Sequence, residues 1–291
     1  MNIAVDSKNL ENPHALELPE EPVFVVESQQ RRVPLNLKDF WTYRELLFFL
    51  VWRDVKIRYK QTFLGAAWAI IQPLLTMLIF TFIFGRVAKI ESDGVPYPVF
   101  AYAALLPWTF FANAITTSGN SIVGSSHLIT KVYFPRLIIP VAAVCACLVD
   151  LAVAFPMLLV LMFYYRLQVT LNILMLAPLL LLTTVLAIAV GTWLSAINVK
   201  YRDVKFALPF LTQIWMYASP VAYPSSVIPQ RWRLLYSLNP FVGIIEGYRS
   251  SLFGRPFAWQ SLTISVVLTV SILSYGSYQF RKMEKSFADI V

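Results

Sequence analysis

Charge is what this chain has least of. Only 14% of its residues are Asp, Glu, Lys or Arg, while 58% are hydrophobic and mean hydropathy is +0.63. A soluble domain carries roughly 25% charged residues, so the composition excludes an ordinary water-soluble globule and points to a membrane protein. Chemistry-bearing residues are scarce too. The two histidines, His14 and His127, make no metal-ligand cluster, and neither H-E-x-x-H nor G-x-S-x-G occurs. The two cysteines, Cys145 and Cys147, sit in an apolar run and read as small apolar residues rather than as a disulfide or metal ligands. The nearest approach to a phosphate loop, GSSHLITK at 124–131, lacks the second glycine before its lysine and follows no strand pattern, so it is not a Walker A motif. These gaps leave no catalytic residue, no metal and no nucleotide hydrolysis for this chain. Active transport would need a partner to supply energy.

What is present is long apolar stretches. A spanning helix takes about 20 mostly apolar residues, and six segments qualify: about 64–84, 99–121, 138–163, 173–197, 206–223 and 258–279. The fifth is the weakest, because Pro209 and Pro220 bracket it. Prolines at 73, 107, 156, 178, 209 and 220 imply kinked or broken helices, and Gln72 beside Pro73 would either satisfy freed carbonyls or face a polar path. With the N-terminus inside, the inner loops and flanks hold 13 Lys and Arg against 7 outside, which predicts both termini in the cytoplasm. The net charge of +8 is then assigned to anionic lipid headgroups and not to nucleic acid.

Three regions depart from simple spans. Residues 1–38 are acidic, show no secretory signal, and read as a disordered cytoplasmic tail. Residues 39–63 contain VWRDVKIRYK, where Phe48, Trp52, Val55 and Tyr59 share one helical face and Arg53, Lys56 and Lys60 another. This predicts an amphipathic helix lying in the membrane interface, either as a topology anchor or as a cationic patch for an anionic headgroup. Residues 224–257 hold an apolar segment too short to span, FVGIIEGYRSSLF, with Glu246 and Arg249 spaced to pair on one face. It reads either as a re-entrant outer gate whose cations touch a passing polymer or as a peripheral helix with a local ion pair. Asp150 lies in mid-span, where an acid is costly. A bond to a neighbouring helix and a proton relay are the two readings.

Aromatic residues make up 15% of the chain and gather toward the outer half, among them Trp108, Phe111, Trp215 and Tyr217. They read as an interfacial belt or as stacking platforms along a conduit, since flat apolar faces suit the C–H faces of sugar rings.

The blocks VWRDVKIRYKQTFLGAAWAIIQPLL, LLPWTFFANAI, LITKVYFPRLIIP, NVKYRDV, ASPVAYP and LNPFVGIIEGYRSSLF occur in this order over about residues 40–290. Together they resemble the membrane subunit of polysaccharide-exporting type-2 ABC transporters, which move O-antigen, capsular polysaccharide or teichoic acid. The resemblance implies an all-α polytopic fold, with an exporter transmembrane domain over 64–291. It has six transmembrane helices, an N-terminal interfacial helix, and re-entrant outer helices between spans five and six. It implies a homodimer in the inner membrane joined to two copies of a P-loop ATPase that carry the ATP and Mg. Lys131, Tyr133, Phe134, Pro135 and Arg136 match the segment that docks on the ATPase. Arg53, Arg58 and Lys60 are the candidates for capturing the headgroup of a lipid-linked polysaccharide, expected to be undecaprenyl-pyrophosphate-linked. Asn239, Pro240, Glu246 and Arg249 fall in the outer gate. The competing readings are a type-2 ABC permease for a small lipophilic drug or lipid, a proton-coupled carrier working through Asp150, and a membrane scaffold without transport.

Overall fold

The computed structural model describes residues 41–60, 65–131 and 134–284. The expected acidic tail at 1–38 lies outside them. Among the described residues every regular element is helical. Helix α1 (Arg44–Lys60) leads to α2 (Ala67–Phe80), which continues as a π-helical stretch, Thr81–Val87. Then come α3 (Tyr97–Gly124), the short α4 (Ser126–Lys131) and α5 (Ile138–Tyr164). A 3-10 turn, Leu171–Met175, opens α6 (Leu176–Lys200), and α7 (Val204–Tyr217), α8 (Gln230–Tyr236), α9 (Pro240–Phe253) and α10 (Trp259–Glu284) follow.

Five of these segments are long and apolar enough to cross a membrane: Ala67–Val87, Tyr97–Gly124, Ile138–Tyr164, Leu171–Lys200 and Trp259–Glu284. The expected fifth span is different. Helix α7 has 14 residues, about 21 Å of rise, and ends before the irregular turn at 218–223. Pro220 lies in that turn, where a missing N–H costs nothing to a helix ladder. Pro73, Pro107, Pro156 and Pro209 sit inside helices, and Pro178 lies in the first turn of α6, where proline is tolerated.

Helix α3 is the hub. It packs on α5 and α6, with α2 beside it and α10 behind α6. Every residue from Val99 to Trp108 is buried, so α3 is apolar on all sides because it is covered on all sides. The outer helices bury only a stripe. Leu75, Leu78 and Ile79 on α2, Phe82 in its π-helical continuation, and Val266, Val267 and Val270 on α10 are exposed, a surface that lipid tails would cover at no hydrophobic cost.

Small residues let these helices meet closely, the common device where lipid offers no hydrophobic drive to association. A Cβ on Gly191 of α6 would stand 2.6 Å from the Ser118 Oγ of α3, and one on Gly276 of α10 would stand 2.7 Å from the Ala189 carbonyl oxygen. Helix α9 owes its short length to its ends. The Asn239 side chain caps its first turn by accepting from the Phe241 N–H, Pro240 holds the first helical position, and Gly254 terminates it in the left-handed region at φ 67°.

Candidate functional site

Helix α1 sets the first site. Its packed face is not the aromatic stripe expected from spacing. Leu46, Leu47, Leu50 and Val51 turn toward α5 and the inner core, where Leu50 packs with Ile122, Ile129, Phe134, Leu137, Val199 and Phe280. Phe48 and Trp52 point outward and are exposed. Near its C-terminus α1 reaches Asp150, roughly 18 Å along α5 from Ile138 at 1.5 Å per residue.

There the Arg58 guanidinium pairs with Asp150 Oδ2, and the Tyr59 hydroxyl donates to Asp150 Oδ1. The guanidinium also lies 3.5 and 3.6 Å from Cys147 Sγ. Burial, with the Asp150 carboxylate beside it, holds the Tyr59 phenol well above its ordinary range, so it remains a donor at physiological pH. Asp150 thus has the bond to a neighbouring helix that one reading required. Its partner is Arg58, on the helix expected in the membrane interface and a candidate there for a lipid headgroup.

This trio closes one side of a cavity of about 370 Å³ between α1, α2, α3 and α5. Gln72, Thr109, Asn113, Thr116 and Thr117 supply neutral hydrogen-bonding groups to its wall, and Trp68, Phe110 and Leu151 supply apolar surface. Gln72 therefore faces the polar space, one of the two roles open to it from sequence. The other expected headgroup cations stand apart from this cavity's lining. Arg53 forks onto the adjacent Asp54, at 2.9 Å from Nε and 2.8 Å from Nη2, and Lys60 is exposed at the end of α1.

The outer cluster has another character. Arg249 is 1% exposed. Its guanidinium carbon lies 3.5 Å from the Phe100 ring centroid, its Nη2 donates to the Val221 carbonyl at 3.1 Å and its Nη1 to Tyr223 at 3.4 Å, and Glu246 is 3.6 Å away. Burial pushes its pKa down to about 10, against the pull of Glu246, and the group stays charged at neutral pH. A cation so enclosed cannot touch a passing polymer, which corrects the polymer-contacting gate assigned to it. The pair with Glu246 is local, but its helix is core rather than periphery. Asn239 and Pro240 also act within the fold. Asn239 Nδ2 donates to the Ala218 carbonyl at 3.1 Å and to Ser219 Oγ at 2.8 Å, and its Oδ1 accepts from Trp215 Nε1 at 2.9 Å, while Pro240 is buried.

The conduit aromatics divide in the same way. Trp108 and Phe111 are buried; both pack edge-on with Trp215, and Phe241 meets Trp108 edge-on and Phe111 at a tilt. Buried rings offer no face to a sugar, so these two are core residues. Trp215 is half-buried and Tyr217 is exposed.

At the segment expected to dock an ATPase, Lys131 is exposed at the end of α4 and Phe134 is buried in the inner core. Pro135 is half-buried. The Arg136 Nη1 donates to the Glu284 carbonyl at 2.7 Å and its N–H to Glu284 Oε1 at 3.4 Å. Tyr133 lies outside the described residues. One face of the segment is thus bound to α1 and α10, while Lys131 is open to solvent.

The architecture is that of a multi-pass membrane subunit with short helices inserted between its spans. The match to known proteins is specific: the chain belongs to the ABC-2 type transporter family, whose model covers residues 45–253. It is 30% identical over 260 residues to the O-antigen export system permease protein RfbA of Myxococcus xanthus, covering 88% of this chain and 98% of that protein. A protein of the same description from Klebsiella pneumoniae is 27% identical, over 85% of this chain and 95% of its own length. The polysialic acid transport protein KpsM of Escherichia coli is 25% identical, over 80% and 92% respectively.

Proposed function

We propose that this chain is the permease subunit of an ABC exporter that moves a lipid-linked polysaccharide, such as O-antigen, across the inner membrane. The observation that carries the reading is the cavity beside Arg58, with polar groups set in an apolar lining, in a chain similar along most of its length to proteins named as O-antigen export permeases. The transported lipid is undecaprenyl-pyrophosphate-linked. Its headgroup meets Arg53, Arg58 and Lys60, since guanidinium forks and lysine point charges both favour pyrophosphate oxygens.

The functional unit is a homodimer, because one set of packed helices has little room for a lumen and a two-fold interface encloses one. The exposed Phe48 and Trp52 of α1 sit at the inner interface. Helix α7 and the turn at 218–223 together form the sixth crossing, which returns both termini to the cytoplasm. Helices α8 and α9 are the re-entrant outer pair. Two P-loop ATPase subunits bind ATP and Mg and dock at Lys131, Tyr133, Phe134, Pro135 and Arg136. The bonds from Arg136 to Glu284, and the packing of Phe134 with Leu50 and Phe280, support a stiff connection from that dock to α1 and α10.

Deletion of the gene tests the reading. Polysaccharide accumulating inside the cell, restored to the surface by the intact gene, is the expected result. Copurification of the tagged protein with a stoichiometric P-loop ATPase but without any polymer defect would favour the alternative, a type-2 ABC permease for a small lipophilic drug or lipid.

A further inference from the structure

The Arg58 cavity presents a chemical problem. If Arg58 captures a pyrophosphate headgroup, as in the reading on which this inference rests, it does so while already neutralised by a carboxylate. Both oxygens of Asp150 are engaged, Oδ2 by Arg58 and Oδ1 by Tyr59. The side chains of Arg58 and Asp150 are 29% and 17% exposed, and both line the cavity, so the pair sits at a wall that a ligand can reach. The remaining polar groups on that wall, among them Gln72, Thr109, Asn113 and Thr116, are neutral.

We propose that Asp150 is a built-in competitor for the substrate anion. Its carboxylate occupies the guanidinium until a pyrophosphate group enters the cavity and takes Arg58 from it. The exchange is chemically reasonable in both directions. A pyrophosphate offers more oxygens and more charge than a carboxylate and pairs with the guanidinium as a fork. Asp150 is not stranded when it lets go, because the Tyr59 hydroxyl still donates to it, and an unpaired acid at this depth would be costly. On release the carboxylate recaptures Arg58, so the cation is never left bare in a partly dry site. A transporter needs this property: a lone arginine would hold the headgroup, and a paired one lets it move on. Asp150 is thus a positioning residue that sets affinity through Arg58.

The test uses the full-length protein in lipid nanodiscs, with farnesyl pyrophosphate, inorganic pyrophosphate and farnesol as probes and thermophoresis as the readout. Asp150→Asn keeps the shape and removes the carboxylate charge that competes with an incoming anion, so farnesyl pyrophosphate should bind about tenfold more tightly, the effect of roughly one charge-assisted bond. Arg58→Gln should abolish that binding. Inorganic pyrophosphate should show the same order of variants, and its affinity relative to farnesyl pyrophosphate tells a free anion from a lipid headgroup as the favoured source. If the pair is only structural, both variants weaken binding alike, and that result overturns the proposal. So does farnesol binding as well as its pyrophosphate. Should Asp150→Asn fail to fold, Tyr59→Phe decides: with no hydroxyl to hold the released carboxylate, Asp150 keeps a tighter hold on Arg58 and farnesyl pyrophosphate should bind about twofold to threefold more weakly, and unchanged or tighter binding overturns the exchange. Wild-type binding without the gain in Asp150→Asn removes the exchange alone, whereas the export reading stands or falls on polymer accumulation in the deletion strain.

Discussion

Two arginines in this protein each face a carboxylate, and the comparison separates a closed ion pair from one open to a cavity. Arg249 is locked between Phe100, two backbone carbonyls and Glu246, with its side chain 2% exposed. Arg58 meets Asp150 at the wall of a cavity with its side chain 29% exposed. Both pairs are expensive to bury. The first offsets part of that cost with fixed protein partners, the Phe100 ring and the Val221 and Tyr223 carbonyls, which makes it a pin for the turn at 218–223. The second keeps one side open, where an incoming group can compete. An ion pair inside a membrane protein is therefore read by what surrounds it, not by its presence.

The largest effect should come from removing the pin. Arg249→Ala strips the Val221 and Tyr223 carbonyls of a donor and leaves Glu246 without its counter-charge, a loss of about 3–5 kcal/mol. Thermal unfolding of the detergent-solubilised protein should show it as poor yield and a lower Tm. Arg249→Lys should recover only part of that loss, because a compact ammonium cannot reach both carbonyls while stacked on a ring.

Next comes packing. Gly191→Val should cost about 1–3 kcal/mol, since overpacking forces α6 away from Ser118 on α3, and the same melting assay reads it. For the expected headgroup cations the pattern should invert. Neutralising Arg53, Arg58 and Lys60 together should cut surface polysaccharide at least tenfold, as a lost charge-assisted contact predicts. Association with the ATPase should survive, as measured by copurification. Intact export in the triple variant would erase the distinction between the two arginines.

Two smaller effects sharpen it further. Asn239→Ala removes the cap of α9 and its bonds to Ala218 and Ser219, and should lower stability by about 1–2 kcal/mol. Lys131→Glu should change stability by no more than about 0.5 kcal/mol, as for an exposed side chain, yet weaken copurification with the ATPase. A stable variant with undiminished association would move the dock elsewhere.

Much of the architecture was legible along the chain. Apolar stretches marked four of the expected spans and, with its flanks, the last. The sequence also marked FVGIIEGYRSSLF at 241–253 as too short to cross, and the structure bounds that helix with local signals at Asn239, Pro240 and Gly254. The site was less legible. Spacing put Phe48, Trp52 and Tyr59 on one face of α1, but the three do different things: two point outward and one binds Asp150. Periodicity reports which residues share a face, not which neighbour the face meets. Arg58 and Asp150 are 92 positions apart, and no local pattern joins them.

By itself, then, the sequence determined the solvent. Scarce charge and long apolar stretches commit the chain to lipid and to helices, because a backbone in hydrocarbon must satisfy its own hydrogen bonds. Order and length of the elements follow from caps, prolines and hydropathy, all of which act within a few residues. Only the tertiary structure decided which aromatic residues are core and which are exposed, and which charged residue answers Asp150. Those outcomes depend on the approach of helices distant in sequence, at contacts a few ångströms wide, where one missing Cβ or one carbonyl in reach sets the arrangement.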